Sequence, residues 1–277
     1  MPSFEAIAKH YARSDLLQAI SIGIEKLGKT TATVALEDLA PVDEFHIGGS
    51  LATRSFLDQV AIAAEDHVLD IGCGIGGASR FAAQNYGCRV TGIDLTAAYV
   101  ETGNALCSWF ELQHRVNLVQ GNALAMNFPA NTFDKAFILH VGMNIEDKEL
   151  LAEEAWRVLK PDGLLGIYDV MRLGFEELAF PVPWATVSES SSVASLDEYK
   201  EALAKVGFEV VSERNRREFA LKFFENLKAD SAAAEAPPPL GLHILMGENA
   251  PIKVQNMIQN ISQNRVAPVE LIVKKPS

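Results

Sequence analysis

The sequence predicts an α/β fold built on a doubly wound, mostly parallel seven-stranded sheet. Two observations carry that expectation. A short apolar run, Val68-Leu69-Asp70-Ile71, leads into four glycines within six residues, Gly72-Cys73-Gly74-Ile75-Gly76-Gly77. Apolar, β-rich runs at 67–71, 89–93, 115–120, 133–138 and 163–169 alternate with helix-patterned segments at about 77–86, 97–112 and 147–159. Such alternation implies βαβ units, and right-handed crossovers then cover a parallel sheet on both faces.

The elements follow in order. Over residues 1–28, Phe4, Ile7, Tyr11, Leu16, Leu17, Ile20, Ile24 and Leu27 recur at helical spacing. The break at Arg13-Ser14-Asp15 reads as a helix start, with Asp15 as cap and Gln18 three residues on. Residues 29–50 have little periodicity and end in Glu44-Phe45-His46-Ile47-Gly48-Gly49, before a helix at about 50–63. Beyond the fifth strand, Phe180-Pro181-Val182-Pro183-Trp184 is a rigid aromatic loop. A helix at 196–206 stops at Gly207, and a strand at 208–214 and a helix at 216–229 come next. The Ala- and Pro-rich stretch 232–239 connects to a helix at about 250–263 and a closing strand at 268–274. The strands flanking these late helices need the same sheet, so the insertion reads as a lid on one domain. The expected organisation is a single domain, with 1–64 as an N-terminal helical cap, 65–170 as the cofactor-binding core and 171–277 as substrate lid and closing strands.

Composition bounds the function. A 277-residue chain with 48% hydrophobic and 22% charged residues has the make-up of an ordinary globular protein. A net charge of −12 argues against nucleic acid as a main partner, because phosphate binding relies on lysine and arginine displacing counterions. The nearest basic cluster is Arg214, Arg216 and Arg217. Three cysteines without CxxC spacing speak against a disulfide framework and against a zinc site, and Cys73 reads as a small packing residue of the loop. No signal-peptide order and no membrane-length apolar run are present, so a cytoplasmic protein is expected.

The glycine loop satisfies both GxGxxG and GxGxG and does not by itself name its ligand. Asp94, at the end of the second strand, can take both ribose hydroxyls of a dinucleotide or of a sulfonium nucleoside. Asp70 favours the second ligand, since a pyrophosphate would not welcome a carboxylate beside it. Gln120-Gly121-Asn122-Ala123 forms a polar turn after the third strand, suited to an adenine edge. Phe128-Pro129-Ala130-Asn131-Thr132-Phe133-Asp134 turns into the fourth strand, and Arg157-Val158-Leu159-Lys160-Pro161-Asp162-Gly163 turns sharply into the fifth.

This ordered set, over about residues 65–170, resembles the class I S-adenosylmethionine-dependent methyltransferases, with their Rossmann-like sheet. Phe45-His46-Ile47-Gly48-Gly49 and His140-Val141-Gly142-Met143-Asn144 look like the small-molecule enzymes typified by sarcosine/dimethylglycine N-methyltransferases and ubiquinone/menaquinone C-methyltransferases. The resemblance implies S-adenosyl-L-methionine as cofactor. It puts Asp70, Gly72 and Gly74 beside its amino-acid end, Asp94 at the ribose, Leu95 against adenine, and Asn122 and Ala123 at the adenine edge. Asn122 stands where the family often has aspartate; its amide oxygen can still accept, without the charge. His140 closes the fourth strand, where it can contact the cofactor, act as general base or simply pack. His46 can close over the cofactor, touch the acceptor or order its loop. Tyr11 can come from an N-terminal helix that lids the site.

The implied reaction is in-line methyl transfer to a small-molecule acceptor, an amine or a hydroxyl or ring carbon, with no covalent enzyme intermediate. His140 and His46 are the candidate catalytic residues, and no metal set is visible. Phe180, Trp184, Phe219, Phe223, Phe224, His243 and Met246 fall in the segments that would shape the acceptor pocket. The alternatives are a nicotinamide-dependent oxidoreductase and a non-catalytic S-adenosylmethionine-binding module. No nucleic-acid partner or membrane span is expected, and a homodimer is compatible with this layout.

Overall fold

Strand residues that alternate between two buried faces dictate a sheet with helices on each side. The computed structural model describes residues 15–233, 238–246 and 249–277. Strands β1 (His67–Ile71), β2 (Arg89–Asp94), β3 (Val116–Gln120), β4 (Phe133–Leu139), β5 (Leu159–Arg172), β6 (Glu209–Asn215) and β7 (Val266–Lys274) form one sheet in the order β3-β2-β1-β4-β5-β7-β6. The first five run parallel. β7 is antiparallel to both β5 and β6, as a mostly parallel sheet requires.

Period-two alternation splits the core. Leu69, Ile71, Ala136, Ile138, Leu165 and Ile167 face one layer, packed with Leu151 and Ala155 of α6 (Lys148–Val158) and Leu203 of α7 (Leu196–Val206). Val68, Phe137 and Tyr168 face the other, against Phe56 of α3 (Gly49–Val60) and Ala82 of α4 (Gly77–Tyr86). Both faces are therefore dry, which is why the parallel strands read as near-continuous apolar runs. Helices α1 (Leu16–Lys26) and α2 (Leu36–Asp43) cap the sheet together with α5 (Ala97–Trp109), sharing a third cluster around Ile20, Leu39 and Leu106. Between β6 and β7 lie α8 (Arg217–Ala233), α9 (His243–Met246) and α10 (Ala250–Ser262), the expected helical insertion.

Several local expectations need correction. Asp15 stands at the N-cap of α1 but its side chain makes no capping hydrogen bond. The fifth strand begins at Leu159, not 163, because Lys160–Gly163 bulges out of it: Phe133 pairs with Leu159, yet Lys135 pairs with Leu164. Asp162 takes φ 63° there, beside Pro161, which has no N–H to offer a ladder. The arginine cluster is not a free basic patch. Arg214 and Arg216 both pair with the buried carboxylate of Glu270, at 2.6 and 3.1 Å, and Arg217 pairs with Glu218. Phe4, Ile7 and Tyr11, and residues 234–237 of the Ala/Pro connection, lie outside the described residues.

Candidate active site

The order of the sheet reverses beside β1, which has β2 on one side and β4 on the other. The carboxyl ends of parallel strands diverge at such a point and leave a crevice. The glycine loop fills its floor. Gly72 N and Cys73 N donate to Ile93 O at 2.8 and 3.1 Å, tying the loop to the end of β2. Gly72 has φ 78°, and a Cβ there would overlap the Val141 side chain. Gly74 has φ 55° and open space where a Cβ would stand, so its backbone faces the crevice bare.

Asp94 is clamped by backbone. Gly74 N donates to Oδ2 at 2.9 Å and Thr96 N donates to Oδ1 at 2.8 Å. Burial pushes the carboxyl upward, and the two amides oppose that by favouring its ionised form. The Thr96 side chain donates to the same carboxylate, and the acceptor capacity that remains is what a ligand can use. Asp70, 2% exposed, accepts from Ser79 Oγ at 2.6 Å. Burial, reinforced by the charge of Asp94, raises its pKa to about 7. Asn122 Oδ1 accepts from Leu124 N at 2.9 Å in a local turn, which leaves its second lone pair as the acceptor the sequence expected. Cys73 is buried, and burial drives its thiol well above the usual range, so it packs rather than reacts.

The two histidines meet. Their ring centroids are 5.9 Å apart, and His140 lies 5.0 Å from the Tyr168 ring. His140 has φ 53°, and its Nε2 is buried without a hydrogen-bond partner among the described residues. Burial, then the neighbouring His46, holds its pKa well below the usual value. His46 Nε2 approaches Thr53 Oγ1 at 3.0 Å and Gly49 O at 3.3 Å. Burial lowers its pKa to about 4. Thr53 Oγ1 donates to Glu44 Oε2 at 2.6 Å. Burial, then the charge of Asp43, lifts Glu44 to about 8.

Sequence reasoning missed Glu44, Thr53 and two further buried groups. Arg80, fully buried on α4, donates to Asp43 at 2.7 Å and to the loop carbonyl of Ile75 at 2.8 Å, joining the cap to the glycine loop. Asp169, inside β5, accepts from Tyr199 Oη at 2.6 Å beneath the turn Gly142–Asn144. The signal for Arg80 was a charge one turn after Gly77, and for Asp169 an acid inside an apolar run.

A single cavity of about 1360 Å³ is lined by His46, Asp70, Gly72, Gly74, Asp94, Leu95, Asn122, Ala123 and His140, so all nine expected site residues meet there. Trp184, Phe223, Phe224, His243 and Met246 also reach it. Phe180 and Phe219 do not: Phe180 packs against the cluster of Val182, Trp184 and Met257, and Phe219 lies under Arg216 with 4.2 Å from guanidinium to ring. Among the described residues the cavity wall carries carboxylates, Glu146 and Asp147 included, and no lysine or arginine. Nor is there a group of three or more metal-ligating side chains among them, or a helix long and apolar enough to cross a membrane.

Fold and crevice define a class. Residues 69–167 match the family model described as a methyltransferase domain. Residues 69–167 thus form a methyltransferase domain, as the motifs implied, and the oxidoreductase alternative is not favoured. The chain is 31% identical over 166 residues to sterol 24-C-methyltransferase of Eremothecium gossypii, covering 57% of this chain and 44% of that one. It is 37% identical over 102 residues to 2-methyl-6-phytyl-1,4-hydroquinone methyltransferase of a Synechocystis strain, covering 37% and 31%. Among solved structures, the cyclase SpnF aligns with TM-score 0.72 at 19% identity, over 99% of this chain and 97% of that one. That likeness extends the shared fold over nearly the whole chain. The chain spans about half the length of the first curated relatives it matches.

Proposed function

We propose that this protein transfers the methyl group of S-adenosylmethionine to an uncharged, largely apolar small molecule. The observation that carries the reading is the cavity itself, which joins the bare glycine loop and Asp94 to an apolar lid and has no cationic wall residue among those described. Asp94 would hold the ribose, Gly72 and Gly74 would line the methionine end beside Asp70, and Leu95, Asn122 and Ala123 would border adenine. His46 and His140 would face the acceptor. Residues 1–64 would serve as cap, 65–170 as core and 171–277 as lid.

An acceptor bearing a phosphate or diphosphate would lose its hydration with no cationic side chain among the described wall residues to replace it, a cost of roughly several kcal/mol per charge. A sterol or a prenylated hydroquinone, the acceptors named for the two curated relatives, carries no such charge. Alignment in a dry cleft supplies most of the rate in this chemistry. The three cysteines, unpaired and buried, fit a reducing, cytoplasmic setting. The test is release of S-adenosylhomocysteine from a panel of sterol-like alcohols, prenylated phenols and hydroquinones, simple amines, and phosphorylated alcohols. Turnover of the uncharged apolar members is expected; turnover confined to amines or phosphorylated acceptors would overturn the assignment.

A further inference from the structure

We propose that His46 is the base that takes the acceptor's proton, set in one tautomer by Gly49 and Thr53 and backed by Glu44. This rests on the methyltransferase reading above and adds to it that the acceptor is an alcohol, phenol or hydroquinone that loses a proton.

The hydrogen bonds fix the tautomer. A carbonyl oxygen only accepts, so the contact of His46 Nε2 with Gly49 O at 3.3 Å requires the proton on Nε2. The Thr53 contact agrees. Its hydroxyl hydrogen goes to Glu44 Oε2 at 2.6 Å, and its oxygen then accepts from Nε2–H at 3.0 Å. In a neutral imidazole the other nitrogen, Nδ1, then carries the lone pair, and it has no hydrogen-bond partner among the described residues. His46 lines the cavity. His140 is differently placed: among the described residues no carboxylate or hydroxyl hydrogen-bonds its ring, and its buried Nε2 has no partner. The base role expected of His140 from its position at the strand end passes to its neighbour.

The step balances. The acceptor oxygen forms a bond to the methyl carbon as the carbon–sulfur bond breaks, with the electron pair going to sulfur. The acceptor proton moves to His46 Nδ1. The resulting imidazolium sits 3.5 Å from a Glu44 carboxyl oxygen. Glu44 and Thr53 are positioning residues, since neither touches the acceptor in this scheme. The groups facing the pair are Asp43 and Gly49 beside it, Thr53 on α3, Arg80 on α4, Asp70 on β1, and His140 and Tyr168 across the ring. Ionisation of Glu44 near its raised pKa of about 8 makes His46 a stronger base, so turnover rises with pH across that value.

Two measurements test this on the full chain. The first is long-range ¹⁵N–¹H NMR of the imidazoles in the wild type with S-adenosylhomocysteine bound, where His46 should show protonated Nε2 and unprotonated Nδ1. The second is kinetics of His46→Asn and Glu44→Gln with a phenolic acceptor. His46→Asn should lose about 100-fold or more in kcat, the usual worth of a positioned base, with S-adenosylhomocysteine Kd within about 3-fold of wild type. Glu44→Gln should lose the rise in rate near pH 8 that the wild type shows. An Nδ1–H tautomer, or His46→Asn turnover equal to wild type, overturns the proposal alone and leaves the methyltransferase reading standing. A wild type that methylates amines but no proton-losing oxygen acceptor overturns it as well, and one that transfers no methyl group at all overturns both. Because the tautomer is read on the wild type, misfolding of a variant does not remove the test.

Discussion

Replacing Asp94 with asparagine probes the floor of the crevice. Each carboxylate oxygen accepts one backbone amide, from Gly74 and from Thr96, and the Thr96 side chain donates as well, so a ribose hydroxyl uses the acceptor capacity that remains. Asparagine converts one of those oxygens into a donor. One ribose hydrogen bond to a charged group is lost, and one backbone N–H faces another donor. A hydrogen bond to a charged group contributes about 1.5–3 kcal/mol, and an orphaned buried donor costs about 1–3 kcal/mol, part of which water relieves in the empty site. The expected net loss is about 2–4 kcal/mol, or about 30- to 1,000-fold in Kd. Isothermal calorimetry with S-adenosylhomocysteine reads it directly, and circular dichroism confirms the fold. A folded Asp94→Asn whose Kd lies within about 3-fold of wild type would refute the ribose role, because a lost charged hydrogen bond alone exceeds that factor.

Other consequences follow from the same crevice. Gly72→Ala should weaken S-adenosylhomocysteine binding at least about tenfold by calorimetry, because the new Cβ meets Val141 at a backbone angle that L residues rarely adopt. Asp70, with a pKa of about 7 in the open site, is about half protonated at neutral pH. Binding a cationic ligand beside it favours the ionised form, so up to about half a proton per site should be released at pH 7. Calorimetry in buffers of different ionisation enthalpy measures that release, and S-adenosylmethionine should bind more tightly as pH rises through 7. Asp43→Ala leaves Arg80 buried without its carboxylate and should destabilise the chain by about 3–5 kcal/mol. A urea midpoint unchanged from wild type would show that the pair does not clamp the cap to the glycine loop.

The sheet was legible because parallel strands buried on both faces must be largely apolar along their length, as Ala136–Ile138 is and as Val68–Ile71 is apart from Asp70. The site was legible where chemistry needs a special backbone or a single acid at a strand end: Gly72, Gly74 and Asp94 are local signals. What escaped was pairing at a distance. Arg80 looks like one more polar residue on a helix until Asp43, thirty-seven positions earlier, is brought against it. Glu44 was in plain view two residues before His46, but its link through Thr53 depends on how α3 folds back over the loop. Asn122 illustrates another limit, since the residue type promised an acceptor but not that one of its two lone pairs is used by its own turn. The start of β5 was misjudged because a helix end followed by Pro161 resembles a turn, and only the partner strand reveals a bulge.

The most direct test is a crystal structure of the protein with S-adenosylhomocysteine. The ribose hydroxyls should lie within hydrogen-bond distance of both Asp94 oxygens, with the homocysteine end over Gly72 and Gly74 and its sulfur turned toward the apolar lid near His46. A crevice that stays empty at saturating ligand, or a ligand seated away from Asp94, would contradict the account.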